Sequence, residues 1–161
     1  MKTKLTAFGL IIASLGIATA EPEGKVKAPN GGRIISKVTP HAEFLLTPEK
    51  KVEVRFLEGG KVIAPTTQVV TVTMGDRAKP TKLAFTKDGD KLVSDKPVPE
   101  GDNLPVVLQI APKEGEKPVS EKFNLNLSKC PECKLTEYAC ACDHAAEAKP
   151  HTHKGGEDHK H

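Results

Sequence analysis

The residues of this chain that carry recognisable chemistry crowd into its last 32 positions, which hold all four cysteines and five of the six histidines. Cys130-Pro131-Glu132-Cys133 is followed, after six residues, by Cys140-Ala141-Cys142 and His144, and then by His151, His153, His159 and His161. Thiolate sulfur and imidazole nitrogen at such short spacings are the ligand types and intervals that transition metals use.

A zinc ion takes four tetrahedral Cys or His ligands, and two closely spaced pairs are the usual way to present them. Cys130/Cys133 and Cys140/Cys142 make two such pairs, and His144 adds a spare or replacement nitrogen. The Cys-x-Cys pair also suits copper(I), which prefers soft thiolates in two- or three-coordinate sites. Zinc and copper are thus the metals expected here. An even cysteine count in an exported chain is equally the signature of disulfides. Four cysteines allow three pairings, and cross-pairing the two motifs would clasp a short hairpin and leave no thiolate for metal. Redox exchange is a third reading, although Cys130-x-x-Cys133 follows strand-like sequence, not the strand-and-helix setting that lowers a cysteine pKa.

His151-x-His153 and His159-x-His161 form two chelating pairs in a segment dominated by Lys, Glu, Gly and His. Imidazole, with an ordinary pKa near 6.5, is largely neutral and ligand-competent at pH 7. Disulfides among the cysteines would not disable these pairs, so the tail is expected to capture divalent metal weakly and exchangeably. The sixth histidine, His41, follows Pro40 at the start of a strand-like run and reads as a turn or surface residue. Glu43 and the Asp76-Arg77 pair read as solvated charges.

The elements that must position the cysteines are strands. From Gly31 to Leu127 the pattern is short runs with period-two alternation, separated by Gly, Pro, Asn and Asp. In Lys51-Val52-Glu53-Val54-Arg55-Phe56 apolar side chains face one side and charges the other. Glu58-Gly59-Gly60-Lys61 turns the chain, and Asp88-Gly89 signals a second hairpin. Further strands are expected at 33–38, 42–46, 69–73, 81–85, 91–93, 106–110 and 122–127. Nine prolines between positions 40 and 118 interrupt any long helical stripe. The fold expected is all-β: a single β-sandwich of immunoglobulin-like type over residues 21–128, with a small barrel as the alternative. Val52, Val54, Val70, Val72, Leu108, Ile110, Leu125 and Leu127 would fill a core without tryptophan. A Cys-rich segment over 129–144 and a tail over 145–161, disordered without a ligand, complete the chain.

Residues 1–20 have the parts of a secretory signal: Lys2 and Lys4, an apolar run from Leu5 to Ile17, and Ala18 and Ala20 before a cleavage point. The run is too short for a membrane span of about 20 residues. A periplasmic or secreted protein beginning at Glu21, with no membrane span after signal removal, is therefore expected. Loss of Lys2 and Lys4 lowers 24 basic residues to 22 against 21 acidic, a net of +1. With five mature aromatics and no basic stripe, nucleic-acid binding is set aside. No Gly-x-Ser-x-Gly, His-Glu-x-x-His, phosphate loop or dinucleotide fingerprint occurs, so no enzyme is expected.

Pro29-Asn30-Gly31-Gly32-Arg33-Ile34-Ile35, with His41-Ala42-Glu43-Phe44 soon after, resembles the Gly-Gly-Arg segment and following strand of some periplasmic adaptor subunits of heavy-metal efflux systems, and small exported β-domain proteins of that setting. The resemblance covers under a fifth of the chain. It implies an envelope efflux or carrier protein as partner. Where those sequences often have His, this chain has Asn30, and an adaptor's long helical hairpin is missing. Periplasmic copper-resistance β-sandwiches are similar in size and export. Glu21 and the single mature methionine, Met74, replace the amino-terminal histidine and methionine-rich site of that family.

Two functions follow from the residues. One is an exported transition-metal-binding protein acting as a buffer, carrier or efflux accessory. The other is a disulfide-clasped β-sandwich that serves as an interaction module of the cell envelope without a metal role.

Overall fold

The computed structural model of the protein describes residues 27–142; the expected signal segment, His144 and the four tail histidines lie outside these residues. Ten strands follow in chain order: β1 (Arg33–Ile35), β2 (His41–Leu46), β3 (Val52–Glu58), β4 (Lys61–Ile63), β5 (Val69–Met74), β6 (Thr81–Leu83), β7 (Phe85–Asp88), β8 (Lys91–Ser94), β9 (Asn103–Ala111) and β10 (Val119–Asn126). One sheet runs β1-β2-β3-β8-β7, with β4 also paired to β3; the other runs β10-β9-β5-β6. All pairings are antiparallel. The only helical element among the described residues is a 3-10 turn, Glu137–Ala139.

Alternation builds the core. Val52, Val54 and Phe56 on β3 and Phe44 on β2 meet Val70, Val72 and Met74 on β5, Val106, Leu108 and Ile110 on β9 and Leu125 on β10 in one buried cluster. The fold is an all-β sandwich, as the period-two pattern indicates. Of the expected core residues, Leu127 alone is only partly buried. Pro105 lies inside β9, where its carbonyl accepts the Gly75 N–H just past the end of β5. In an antiparallel strand a residue's N–H and C=O point to the same side, so the N–H that proline lacks is not one the β9–β10 ladder needs.

Three local expectations are corrected. The run 81–85 is not one strand: Leu83 pairs with Val72 in one sheet and Phe85 with Ser94 in the other. The chain changes sheets at Ala84, whose N–H donates to Asp95 Oδ1 at 3.0 Å and whose carbonyl accepts the Asp95 N–H at 2.9 Å. Asp95 thus pairs the N–H and the carbonyl of the exposed Ala84, which leave both ladders at the switch. The run 33–38 ends as a strand at Ile35. The turn at Gly59-Gly60, with φ of 55° and 77°, leads into an additional short strand, β4, through the two-residue connection between Glu58 and Lys61.

Glu43 is not solvated; it is fully buried. Its Oε1 accepts the backbone N–H groups of Asn30 and Gly32, each at 2.9 Å, and its Oε2 accepts the Asn30 side-chain amide at 2.9 Å. Three donors compensate the desolvation that a buried carboxylate would otherwise suffer. Gly32 must be glycine here, because a Cβ would stand 2.4 Å from the Phe44 carbonyl oxygen. Glu53 is also buried, through ion pairs of 2.6 Å to Arg55 and to Lys91. Asp76 and Arg77 are exposed, as expected.

Candidate metal centre

Beyond β10 the chain forms a miniature hairpin. Lys129 bridges Thr136, the Cys130 N–H donates to the Leu135 carbonyl at 2.8 Å, and the Glu137 N–H donates to the Ser128 carbonyl at 2.9 Å. At its tip the Lys134 N–H returns to the Cys130 carbonyl at 3.1 Å, with Lys134 at φ 63°. The positive φ lets the chain double back immediately after Cys133, so that the first cysteine pair faces inward. The 3-10 turn then reverses the chain again, its Cys140 N–H donating to the Glu137 carbonyl at 3.1 Å, and presents the second pair.

The four sulfurs converge: the Sγ atoms of Cys130, Cys133, Cys140 and Cys142 all lie within 4.8 Å of one another. Cys140 Sγ is 3.5 Å from Cys130 Sγ and 3.6 Å from Cys133 Sγ. A tetrahedron with zinc–sulfur bonds of about 2.3 Å has sulfur–sulfur edges of about 3.8 Å. The cluster thus has the size and the ligand number of a tetrathiolate site. No pair among the four stands at the disulfide length of about 2.05 Å.

Hydrogen bonding and burial set three thiols of the cluster apart. The backbone N–H of Cys133, opposing burial and joined by the Glu132 N–H and the thiols of Cys140 and Cys133, brings Cys130 down to about 6. At Cys140 the N–H of Cys142 pulls the pKa down, but burial and the sulfurs of Cys130 and Cys133 outweigh it and leave the thiol above its ordinary value. The Cys140 sulfur, burial and the other two cysteines push Cys142 well upward. One thiolate therefore forms easily and hinders its neighbours. A dication among the four sulfurs reverses that repulsion, because metal coordination favours the deprotonated form of each ligand.

What fixes this hairpin to the sandwich was not read from the sequence. Tyr138, the single tyrosine of the chain, lies in the sandwich core at 5 % exposure, edge-on to Phe44 with ring centroids 6.1 Å apart. Its hydroxyl oxygen accepts the Leu46 N–H at 3.1 Å. Its carbonyl accepts Arg33 Nη1 at 3.2 Å, while the same guanidinium lies 4.7 Å over the Phe123 ring and reaches Glu121 at 3.4 Å. Leu135 packs near Gly31. The Asn-Gly-Gly-Arg segment, near the start of the described residues, therefore braces the hairpin near their end. An isolated aromatic between two cysteine pairs in otherwise polar sequence was the available signal for Tyr138; Arg33 carried none.

His41 takes no part in the cluster. It begins β2 with its Nδ1 3.0 Å from the Val38 carbonyl oxygen, the place of a turn residue. His144, His151, His153, His159 and His161 lie outside the described residues. No helix among the described residues is long and apolar enough to cross a membrane. Comparison of the chain with protein-family models, with curated proteins and with solved structures gave no match.

Proposed function

We propose that this is an exported, non-enzymatic protein that binds a transition metal and serves the periplasm or the extracellular space as a metal buffer, carrier or efflux accessory. The observation that carries the reading is the convergence of four cysteine sulfurs within 4.8 Å on a hairpin anchored in the sandwich core. Four thiolates in a compact tetrahedral set fit zinc best, with copper(I) second, since copper(I) needs only two or three of them. His144 offers the cysteine site a spare nitrogen, and the pairs His151/His153 and His159/His161 provide a second, weaker class of ligand that captures divalent metal and passes it on. The signal-like N-terminus supports export, and an envelope efflux or carrier protein is the partner that the resemblance of the Gly-Gly-Arg segment suggests.

Native and denaturing mass spectrometry of the protein isolated from its export compartment, with thiol alkylation of the denatured sample, tests this. The expected result is one metal ion retained in the native state, lost on denaturation, with four alkylated cysteines. A metal-free mass lighter by four hydrogens, with no alkylation, would overturn it in favour of the disulfide-clasped envelope module.

A further inference from the structure

The four sulfurs are held unequally, and the inequality bears on how a buried site could serve a carrier. Cys130 is fully buried, at the base of the hairpin, and its own N–H is tied to Leu135. Cys140 is 8 % exposed and follows directly on Tyr138 and Ala139, both in the core, with its N–H bonded back to Glu137. Cys133 is half-buried but enclosed, since the Lys134 N–H bond to Cys130 and the Lys129–Thr136 bridge close the loop that contains it. Cys142 is half-buried too, follows the exposed Ala141, and donates its N–H to the sulfur of Cys140 at 3.4 Å, so among the described residues this bond ties it to the cluster.

We infer that Cys142 is the ligand through which metal enters and leaves the four-sulfur site. Withdrawing Cys130 or Cys140 from a bound ion means displacing Tyr138 or opening the hairpin. Withdrawing Cys142 means a rotation of the backbone at 141–142 with the core left intact, and openings that disturb fewer buried contacts occur more readily. The three sulfurs that remain form a preorganised, three-coordinate holder with one open face. Exchange with an incoming thiol then proceeds without redox change. The metal–Cys142 bond breaks with the electron pair staying on sulfur, the incoming thiol releases its proton to water as its sulfur binds the metal, and the Cys142 thiolate takes up a proton. Repetition at the other sulfurs transfers the ion at constant valence. Zinc held in this way is kinetically accessible although two of its ligands are buried.

The inference rests on the metal-binding reading, and the two fail differently. Full-length protein is loaded with one equivalent of cobalt(II), whose thiolate charge-transfer bands report the number of bound sulfurs, and release to excess glutathione or a chromogenic chelator is followed by stopped flow. Absence of those bands in the unmodified protein would sink the metal-binding reading itself. Given the bands, Cys142→Ser is expected to keep one cobalt ion with a three-thiolate spectrum and to release it at least about tenfold faster, the equivalent of about 1.4 kcal/mol. Cys130→Ser and Cys140→Ser are expected to lose stoichiometric uptake, and Cys133→Ser to weaken binding more than Cys142→Ser does. Equal loss of uptake in all four variants, or an unchanged release rate in Cys142→Ser, would overturn the inference. Circular dichroism of each variant separates loss of a ligand from loss of the sandwich.

Discussion

The sandwich and the cysteine hairpin are joined in one body but hold their side chains by different means. Between the sheets, apolar residues repeated on every other position bury one another, with β3, β5 and β9 each contributing three. The hairpin over residues 128–142 contributes Tyr138 and Ala139 to that core, and beyond them it is held by the bonds of Tyr138 to Arg33 and Leu46, a few backbone bonds and four sulfurs. The first region is stabilised by many small, redundant terms. The second depends on few contacts, so its order is open to control by a ligand. Structural zinc sites commonly supply folding free energy outright to segments too small to build a core.

The largest effect expected from this contrast is that of metal removal. Stripping metal with a strong chelator under reducing conditions should abolish amide-exchange protection at Cys130, Lys134 and Cys140, while β3, β5 and β9 keep most of theirs. Equal loss in the strands would show that the two regions unfold as one unit. Replacing the anchor should come next. Tyr138→Ala should destabilise the protein by about 3–5 kcal/mol, as large-to-small changes of core aromatics do, and should also weaken metal binding. Tyr138→Phe keeps the ring against Phe44 and removes only the acceptor for the Leu46 N–H, for a loss of about 1 kcal/mol in denaturant unfolding.

How far these features were legible in the sequence differs between the two regions for the same physical reason. The strand at Val52 to Phe56, the turn at Gly59-Gly60 and the cysteine spacing are local signals, and all are found in the structure. The sheet switch at Ala84 depends on Asp95, eleven residues away, and the burial of Glu43 depends on Asn30 and Gly32. A charge on a strand reads as solvated until the loop that covers it is known. The contact of Tyr138 with Leu46 spans 92 residues, and that of Arg33 with the Tyr138 carbonyl spans 105, so no window along the chain contains either pair. Convergence of the two cysteine pairs was suggested by spacing alone; their attachment to the sandwich was not.

A smaller effect concerns the outer face of the first sheet and should leave the hairpin untouched. Burial pushes the Glu53 carboxyl up, but the hydrogen bond from Lys91 and the charges of Arg55 and Lys91 together outweigh it and hold the group below its ordinary value of 4.5. A carboxylate depressed in the folded state contributes stability above its unfolded pKa and loses it as pH falls through the folded value. Stability should therefore decline from about pH 4.5 downward, and Glu53→Gln should flatten that decline in urea titrations at several pH values. The smallest effect expected is at the hairpin tip. Lys134 holds a φ of 63°, which costs a side-chain-bearing residue about 1 kcal/mol or more. Lys134→Gly should relieve that strain, less the greater entropy of glycine in the unfolded chain. A net gain of a few tenths of a kcal/mol, measured on the metal-loaded protein, would mark the tip as strained, and a loss would show that the lysine side chain, whose Nζ donates to the Pro131 carbonyl, matters more.

The docking of Tyr138 against Phe44 also sets a condition on biosynthesis. A ribosome that has finished β10 has delivered every described strand, yet Phe44, already packed on Phe123, lacks its tyrosine neighbour until a dozen further residues have been added. A chain terminated early, or clipped by a protease between Leu127 and Glu137, would lack the tyrosine that covers one side of Phe44. The hairpin is thus the last of the described segments to reach the sandwich, and it covers a surface that a shortened molecule would present to chaperones and proteases.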